Sequence, residues 1–425
     1  MEKILIKNGR LVDPANNIDE KKDILIEGGK IKEIADCIMP AEDAEMINAE
    51  GKAVMPGFID LHVHLREPGF EYKETVETGA KAAARGGVTS ICPMPNTKPV
   101  IDSAESVKDL LKRAENAPVH ILPIGACTVR QEGKELADIE GMKEAGIVAL
   151  SEDGKSVMDS ALFRKSLKEA ARLNLPMFSH CEDKALVDGG VMNAGKKAEE
   201  LGLPGITNSV EDVIVARDII MSKEAGNRLH LCHCSTADSV VLVEMAKKQG
   251  LSVSAEVCPH HFTISDDEIT EDNGRFKMNP PLRSRADVDA LKEGLKNGTM
   301  EVISTDHAPH GAEEKNQTML KAPFGIVGLE TSFALSYTEL VDKGILTLSQ
   351  LVEKMSVNPA KVLGIDKGNL AQGKAADIVI ADISEEYEID SKKFVSKGKN
   401  TPFDGKKVKG RVITTIVDGK IVYQE

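Results

Sequence analysis

The segment FIDLHVHLREPG (residues 58–69) places two imidazoles one residue apart at the end of an apolar run and follows them at once with an arginine. On a β-strand, side chains at i and i+2 share a face, so His62 and His64 can both meet one cation. Similar polar groups close or follow other apolar runs: Asn96 after VTSICPM, Asp153 in IVALSED, His180 in LPMFSH, His233 in RLHLCH, His260 and His261 after LSVSAEV, Asp306 and His310 at and beyond MEVISTD. With His307, which follows Asp306, eight of the ten histidines fall at such run ends, too many for unrelated structural histidines. Imidazole and carboxylate without thiolate suit Zn2+ with a position left open for water. His62, His64, His180 and His233 together with Asp306 exceed what one tetrahedral ion holding a water can accept. Two ions are therefore expected, and they need a bridging anion. Asp153 is the expected bridge; Lys155, if carbamylated, is its rival, and Glu152 should face the other way. Cys232-His233-Cys234 reads as small buried residues on a strand, and His260 and His261 as supporting or structural groups.

These residues need a frame that brings strand ends to one place. Between about residues 56 and 365, short apolar runs alternate with amphipathic stretches such as SAESVKDLLKRAENA and RADVDALKEGLKNG. That alternation marks βα units around a parallel sheet. The eight runs are GFIDLHVH, VTSICPM, VHILPIGA, IVALSED, LPMFSH, RLHLCH, LSVSAEV and MEVISTD, and they predict an α/β fold, a (β/α)8 TIM barrel with its site at the C-terminal strand ends. Residues 1–55 and 366–425 instead show β-rich runs, MINAEGKAVM among them, with Asn-Gly, Gly-Gly, Glu-Gly-Lys and Asp-Gly turns, read as hairpins. They are expected to share one small β-sandwich built from both termini. HAPHGAEEKNQTMLKAPFG, the longest irregular stretch, is expected to be a mobile lid.

Composition narrows the class. The chain has 425 residues, with 68 acidic against 54 basic side chains and a formal net charge of -14, which disfavours nucleic acid and anionic membrane as partners. No run reaches the ~20 apolar residues of a membrane span, and no signal peptide is evident at the N-terminus. Seven cysteines without framework spacing suit reduced thiols, so a soluble cytoplasmic protein is expected.

Over essentially its whole length the sequence resembles the cyclic amidohydrolase superfamily and, within it, the dihydroorotases of the longer bacterial and archaeal type. The resemblance is carried by GFIDLHVHLREPG (57–69), PMPNT (93–97), SHCED (179–183), KMNPPLR (277–283) and STDHAPH (304–310). Arg66, Asn96 and His310 distinguish this group from the similar allantoinases and hydantoinases, whose substrates lack a ring carboxylate. The group also places an aspartate where its relatives carry a carbamylated lysine, as Asp153 does. Glu152-Asp153-Gly154 departs from the more common Asp-Asp-Gly, and Cys258 stands where threonine is common.

The resemblance implies a dihydroorotase that reversibly cyclises N-carbamoyl-L-aspartate to L-dihydroorotate in de novo pyrimidine (UMP) biosynthesis, through a hydroxide generated on two Zn2+ per subunit. It implies metal ligation by His62, His64, Asp153, His180, His233 and Asp306, with Asp306 also moving the proton. Arg66, Asn96 and His310 would hold the ring carboxylate, Asn279 and the backbone of Phe324-Gly325 the pyrimidine edge, and His64 would also face substrate. A homo-oligomer is expected, with aspartate transcarbamoylase as a candidate partner. The rival readings are an allantoinase or hydantoinase-type cyclic amidase, and a non-catalytic dihydroorotase-like scaffold.

Overall fold

The computed structural model describes residues 3–40 and 43–425. Eight parallel barrel strands stand where the apolar runs predict them: β1 (Phe58–Val63), β2 (Val88–Pro93), β3 (His120–Ile121 and Ile124–Ala126), β4 (Ala149–Ser151), β5 (Met177–Ser179), β6 (Leu229–Leu231), β7 (Val253–Val257) and β8 (Val302–Ile303). β3 is interrupted at Pro123, which has no N–H to give a ladder. Its first half pairs with β2 and its second with β4. A bridge from Val63 to His307 closes the ring. β1 and β2 are buried along their whole length, because a parallel sheet has helices over one face and packed side chains over the other. Serine, threonine and aspartate caps start those helices: Thr75 before Val76–Arg85, Ser103 before Ala104–Arg113, Asp159 before Ser160–Arg172 and Ser284 before Arg285–Asn297.

The two termini meet in one eight-stranded sheet, the β-sandwich module. Ala53–Pro56 pairs antiparallel with Ile378–Asp382, Val54 opposite Ile380. Ile6, Leu11, Ile24, Ile26, Ile378, Ile380 and Ile416 form its core. Three readings change here. Asn8-Gly9 is not a hairpin turn: Lys3–Asp13 is one strand with a bulge between Ile6 and Gly9. MINAEGKAVM is not a hairpin, since Ala44–Asn48 and Ala53–Pro56 both lie parallel to Lys3–Asp13. That strand of 11 residues is long enough to pair with them in succession. Residues 387–408, assigned by sequence to the sandwich, leave its sheet, and Ile389, Phe403 and Val408 pack with Phe276, Met278, Leu282 and Ile326 above the barrel. Among the described residues no helix is long and apolar enough to cross a membrane.

Candidate active site

His62 and His64 leave β1 with their Nδ1 atoms already engaged. Nδ1 of His62 lies 2.8 Å from Glu256 Oε1 and that of His64 lies 2.9 Å from Asn96 Oδ1. Both partners are acceptors, so each imidazole donates there and turns the lone pair of Nε2 the other way. The lone pairs face carboxylates: His62 Nε2 is 3.2 Å from Asp153 Oδ1, and His64 Nε2 is 3.0 Å from Asp306 Oδ1. Lone pair against anion is repulsive unless a proton or a cation lies between them.

The second half of the cluster repeats the pattern. His180 Nδ1 is 3.4 Å from Asp153 Oδ1, and His233 Nε2 lies 2.8 Å from His180 Nδ1. Ring nitrogens this close share one proton or face one cation. His62 Nε2, Asp153 Oδ1 and His180 Nε2 are buried without a hydrogen-bond partner. Two triads of ligand atoms, His62–His64–Asp153 and Asp153–His180–His233, share Asp153, with all atoms of each within 4.8 Å of one another. The donor set therefore fits two cations joined by Asp153, with Asp306 beside the first triad.

The same demand for positive charge appears in the titration: where no cation lies between them, the imidazoles take protons to meet the carboxylates. Burial pushes the Asp153 carboxyl up, but the charge on His62 and the hydrogen bond with His180 outweigh it and hold it well below the usual range. Asp306 is likewise raised by burial yet brought down to about 2 by His62 and His64. Burial lowers His180, but Asp153 and Glu182 raise it to about 10, while burial and the positive charge on His180 and His62 push His233 down to about 3. The cluster thus holds positive charge against its carboxylates. Three residues here, Arg66, His233 and Asp306, have φ of 63, 36 and 48°, a left-handed conformation costly for non-glycine residues and typical of sites held by their surroundings.

Arg66, Asn96, Asn279, Phe324 and Gly325 line the same cavity, about 180 Å3, together with His64, Asp153, His180, His233 and Asp306. Arg66 Nε–H donates to Pro309 O at 3.2 Å. Asn96 Nδ2 donates to Asp153 Oδ2 at 3.3 Å, so Asn96 spans His64 and the shared carboxylate. Asn279 donates to Glu182. His310 lies behind the lining: its Nε2–H donates to Phe324 O at 2.7 Å, and Lys73 Nζ lies 3.2 Å from its Nδ1. Glu152 faces away, accepting Cys127 N–H and Thr128 N–H. Lys155 is exposed outside the cavity. His261 Nε2–H donates to Pro280 O at 2.9 Å, and neither it nor His260 lines the cavity. Cys232 and Cys234 are buried thiols that burial keeps protonated.

Residues 51–239 match the Dihydro-orotase-like family model. The chain is 50% identical to the dihydroorotase of Bacillus cytotoxicus over 99% of its own length and 98% of that protein. It is also 50% identical to the dihydroorotase of Syntrophus aciditrophicus over the full length of both. The chain belongs to the dihydroorotase family. Solved cyclic amidases share the dihydroorotase fold: an L-hydantoinase from Arthrobacter aurescens superposes with a TM-score of 0.88 at 29% identity, covering 100% of this chain and 96% of that one. A dihydropyrimidinase from Brevibacillus agri does so with 0.86 at 26%, covering 99% and 95%.

Reading by sequence missed the groups that orient this dihydroorotase-family centre. Glu256 on β7 is fully buried and accepts from His62, from His233 N–H at 3.2 Å and from His230 Nε2 at 3.0 Å. Burial pushes its pKa up, but His230 and His62 hold it well below the usual range. Its signal was present: an acidic residue inside the apolar strand LSVSAEV needs buried donors. The segment expected to be a mobile lid carries ordered contacts in this structure. Ala312–Lys315 is a short helix, and buried Lys315 donates to Lys277 O at 2.8 Å and Pro323 O at 2.9 Å. A lysine whose three donors can satisfy buried carbonyls fastens the segment down.

Proposed function

We propose that the chain interconverts N-carbamoyl-L-aspartate and L-dihydroorotate, with His62, His64, Asp153, His180, His233 and Asp306 holding two Zn2+ and Asp153 bridging them. The observation that carries this is the pair of imidazole lone pairs on His62 and His64 aimed at Asp153 and Asp306, beside an arginine that lines the same cavity. Bound zinc would polarise the ring carbonyl and lower the pKa of the attacking water towards ~7.

The chain's own groups do the rest. Asp306, 3.0 Å from His64 Nε2, takes the proton of the attacking water and passes it to the departing ring nitrogen; in cyclisation it takes the amide proton instead. Arg66 uses Nε on Pro309 O, which leaves guanidinium donors for the ring carboxylate as a planar fork. Asn96 adds a donor, and Asn279 and the Phe324-Gly325 backbone meet the pyrimidine edge. His310 reaches the carboxylate by giving up its bond to Phe324.

Metal analysis of protein purified without added metal, with steady-state assays on dihydroorotate, hydantoin and allantoin, tests this reading. About two zinc per chain and preference for dihydroorotate are expected. Arg66→Met should raise KM for dihydroorotate more than it lowers kcat, since the carboxylate is present in substrate and product alike. A charge-assisted contact is worth about 1.5–3 kcal/mol, so kcat/KM should fall roughly tenfold to a few hundredfold. Unchanged kcat/KM would remove carboxylate recognition from Arg66.

A further inference from the structure

The segment 394–401, FVSKGKNT, lies in the C-terminal part of the chain, yet it runs beside the barrel mouth. Its buried Asn400 is saturated with contacts to two loops that carry expected substrate groups. Oδ1 accepts His310 N–H at 3.1 Å, and Nδ2 donates to Ala308 O at 3.2 Å and to Gly325 O at 3.1 Å. Its backbone carbonyl accepts Val327 N–H at 2.9 Å. The two loops touch each other just before this point, where Ala308 N–H donates to Ile326 O at 2.8 Å. Beyond that bond the His310 side chain reaches Phe324 O at 2.7 Å, and the Asn400 amide ties the two backbones together.

The neighbouring Gly398 lies so close to Pro309 that a Cβ there would sit 2.6 Å from Pro309 Cβ. Pro309 is the residue whose carbonyl holds Arg66 Nε. The segment is itself anchored by two buried carboxylates. Glu74 accepts from the Ser396 hydroxyl and Lys397 N–H, and Glu330 accepts from Val395 and Ser396 N–H at 2.9 and 3.0 Å.

We propose that Asn400 is a positioning residue: it sets the separation between His310 and Phe324-Gly325 and, with Gly398 behind Pro309, the aim of Arg66, so the C-terminal segment completes the carboxylate-binding side of the pocket. The proposal rests on the dihydroorotase reading for the identity of the ligand. An amide suits the place because it offers one acceptor and two donors, and here one N–H and two carbonyls must be met. Aspartate would keep the acceptor and set a carboxylate oxygen against two carbonyls.

The test compares wild type, Asn400→Ala, Asn400→Asp and Gly398→Ala as metal-loaded enzymes, by steady-state kinetics and equilibrium binding of dihydroorotate, with bound metal measured in parallel. Wild-type turnover decides the reaction itself; the ratios between variants and wild type decide the role of Asn400. Loss of even one such hydrogen bond corresponds to about a tenfold change. Asn400→Ala and Asn400→Asp should therefore raise KM and weaken binding by about tenfold or more, with kcat down by less than about threefold and metal content unchanged. Gly398→Ala should shift KM in the same direction, and it carries the test if the Asn400 variants do not fold. Wild-type KM in the variants, or equal losses of kcat and metal with KM unmoved, overturns the proposal.

Discussion

Two clusters of histidine and aspartate occupy opposite ends of the barrel. At the mouth, His62, His64, His180 and His233 surround Asp153 and Asp306, and among the described residues no lysine or arginine bonds to either carboxylate. At the foot, His120, which starts β3, approaches Asp377 and Asp418 from the sandwich side at 3.3 and 3.6 Å. There Lys367 Nζ sits 2.6 Å from Asp377 Oδ2, Asp418 N–H donates to Asp377 Oδ1 at 2.9 Å, and the Asp418 side chain is 58% exposed. Both sets could be drawn as metal ligands. The foot carries its own lysine cation and joins the barrel to the sandwich, whereas at the mouth imidazoles alone face the buried carboxylates, and protons or an external cation must supply the counter-charge. Residue type makes a candidate; the location of the counter-charge makes a site.

The comparison breaks most sharply at Asp153. Asp153→Ala should lower the metal content and reduce turnover by roughly 10³-fold, the scale of losing a principal electrostatic group, whereas Asp377→Asn should leave both unchanged. Full metal and full rate in Asp153→Ala, read by metal analysis and assay, would return the bridge to another group. A finer division concerns Asp306. Asp306→Asn keeps an oxygen ligand but cannot accept a proton, so kcat should drop by about 10²–10⁴-fold with KM little changed. A variant that kept its rate would shift the proton-transfer role elsewhere.

The smallest expected effect lies at the foot. Burial raises the Asp377 carboxyl, but His120 and Lys367 bring it down to about 2, from an unfolded value near ~3.9. A depressed carboxylate contributes stability above its unfolded pKa, and that contribution disappears as pH falls from about 4 to about 2, worth roughly 2–3 kcal/mol in all. Denaturation of wild type and Asp377→Asn across pH should show a gap at neutral pH that closes over this window. A gap independent of pH would mean that the foot cluster is not held by ionisation.

Much of the centre was legible because the information is local. A strand's alternation tells which side chains face the barrel axis, so the i, i+2 spacing of His62 and His64 already put both imidazoles on one face. The apolar runs ending in Asp153, His180, His233 and Asp306 placed these residues at the strand ends. The Lys155 rival could be weighed in the same way, since two positions beyond Asp153 the chain has left the strand, and the side chain is exposed. MINAEGKAVM misled because a turn signal says where a chain bends and nothing about which strand its arms will pair with.

Tertiary structure alone decided which proton sits on which nitrogen and which loop holds which. The tautomer of His62 depends on Glu256, 194 positions away, and the place of His310 on Asn400, 90 positions away. Sequence by itself determined the barrel and the end of it at which the candidate ligands gather. Local periodicity fixes the direction of a side chain, but a hydrogen bond is fixed only when two distant backbones have been packed within about 3 Å of each other.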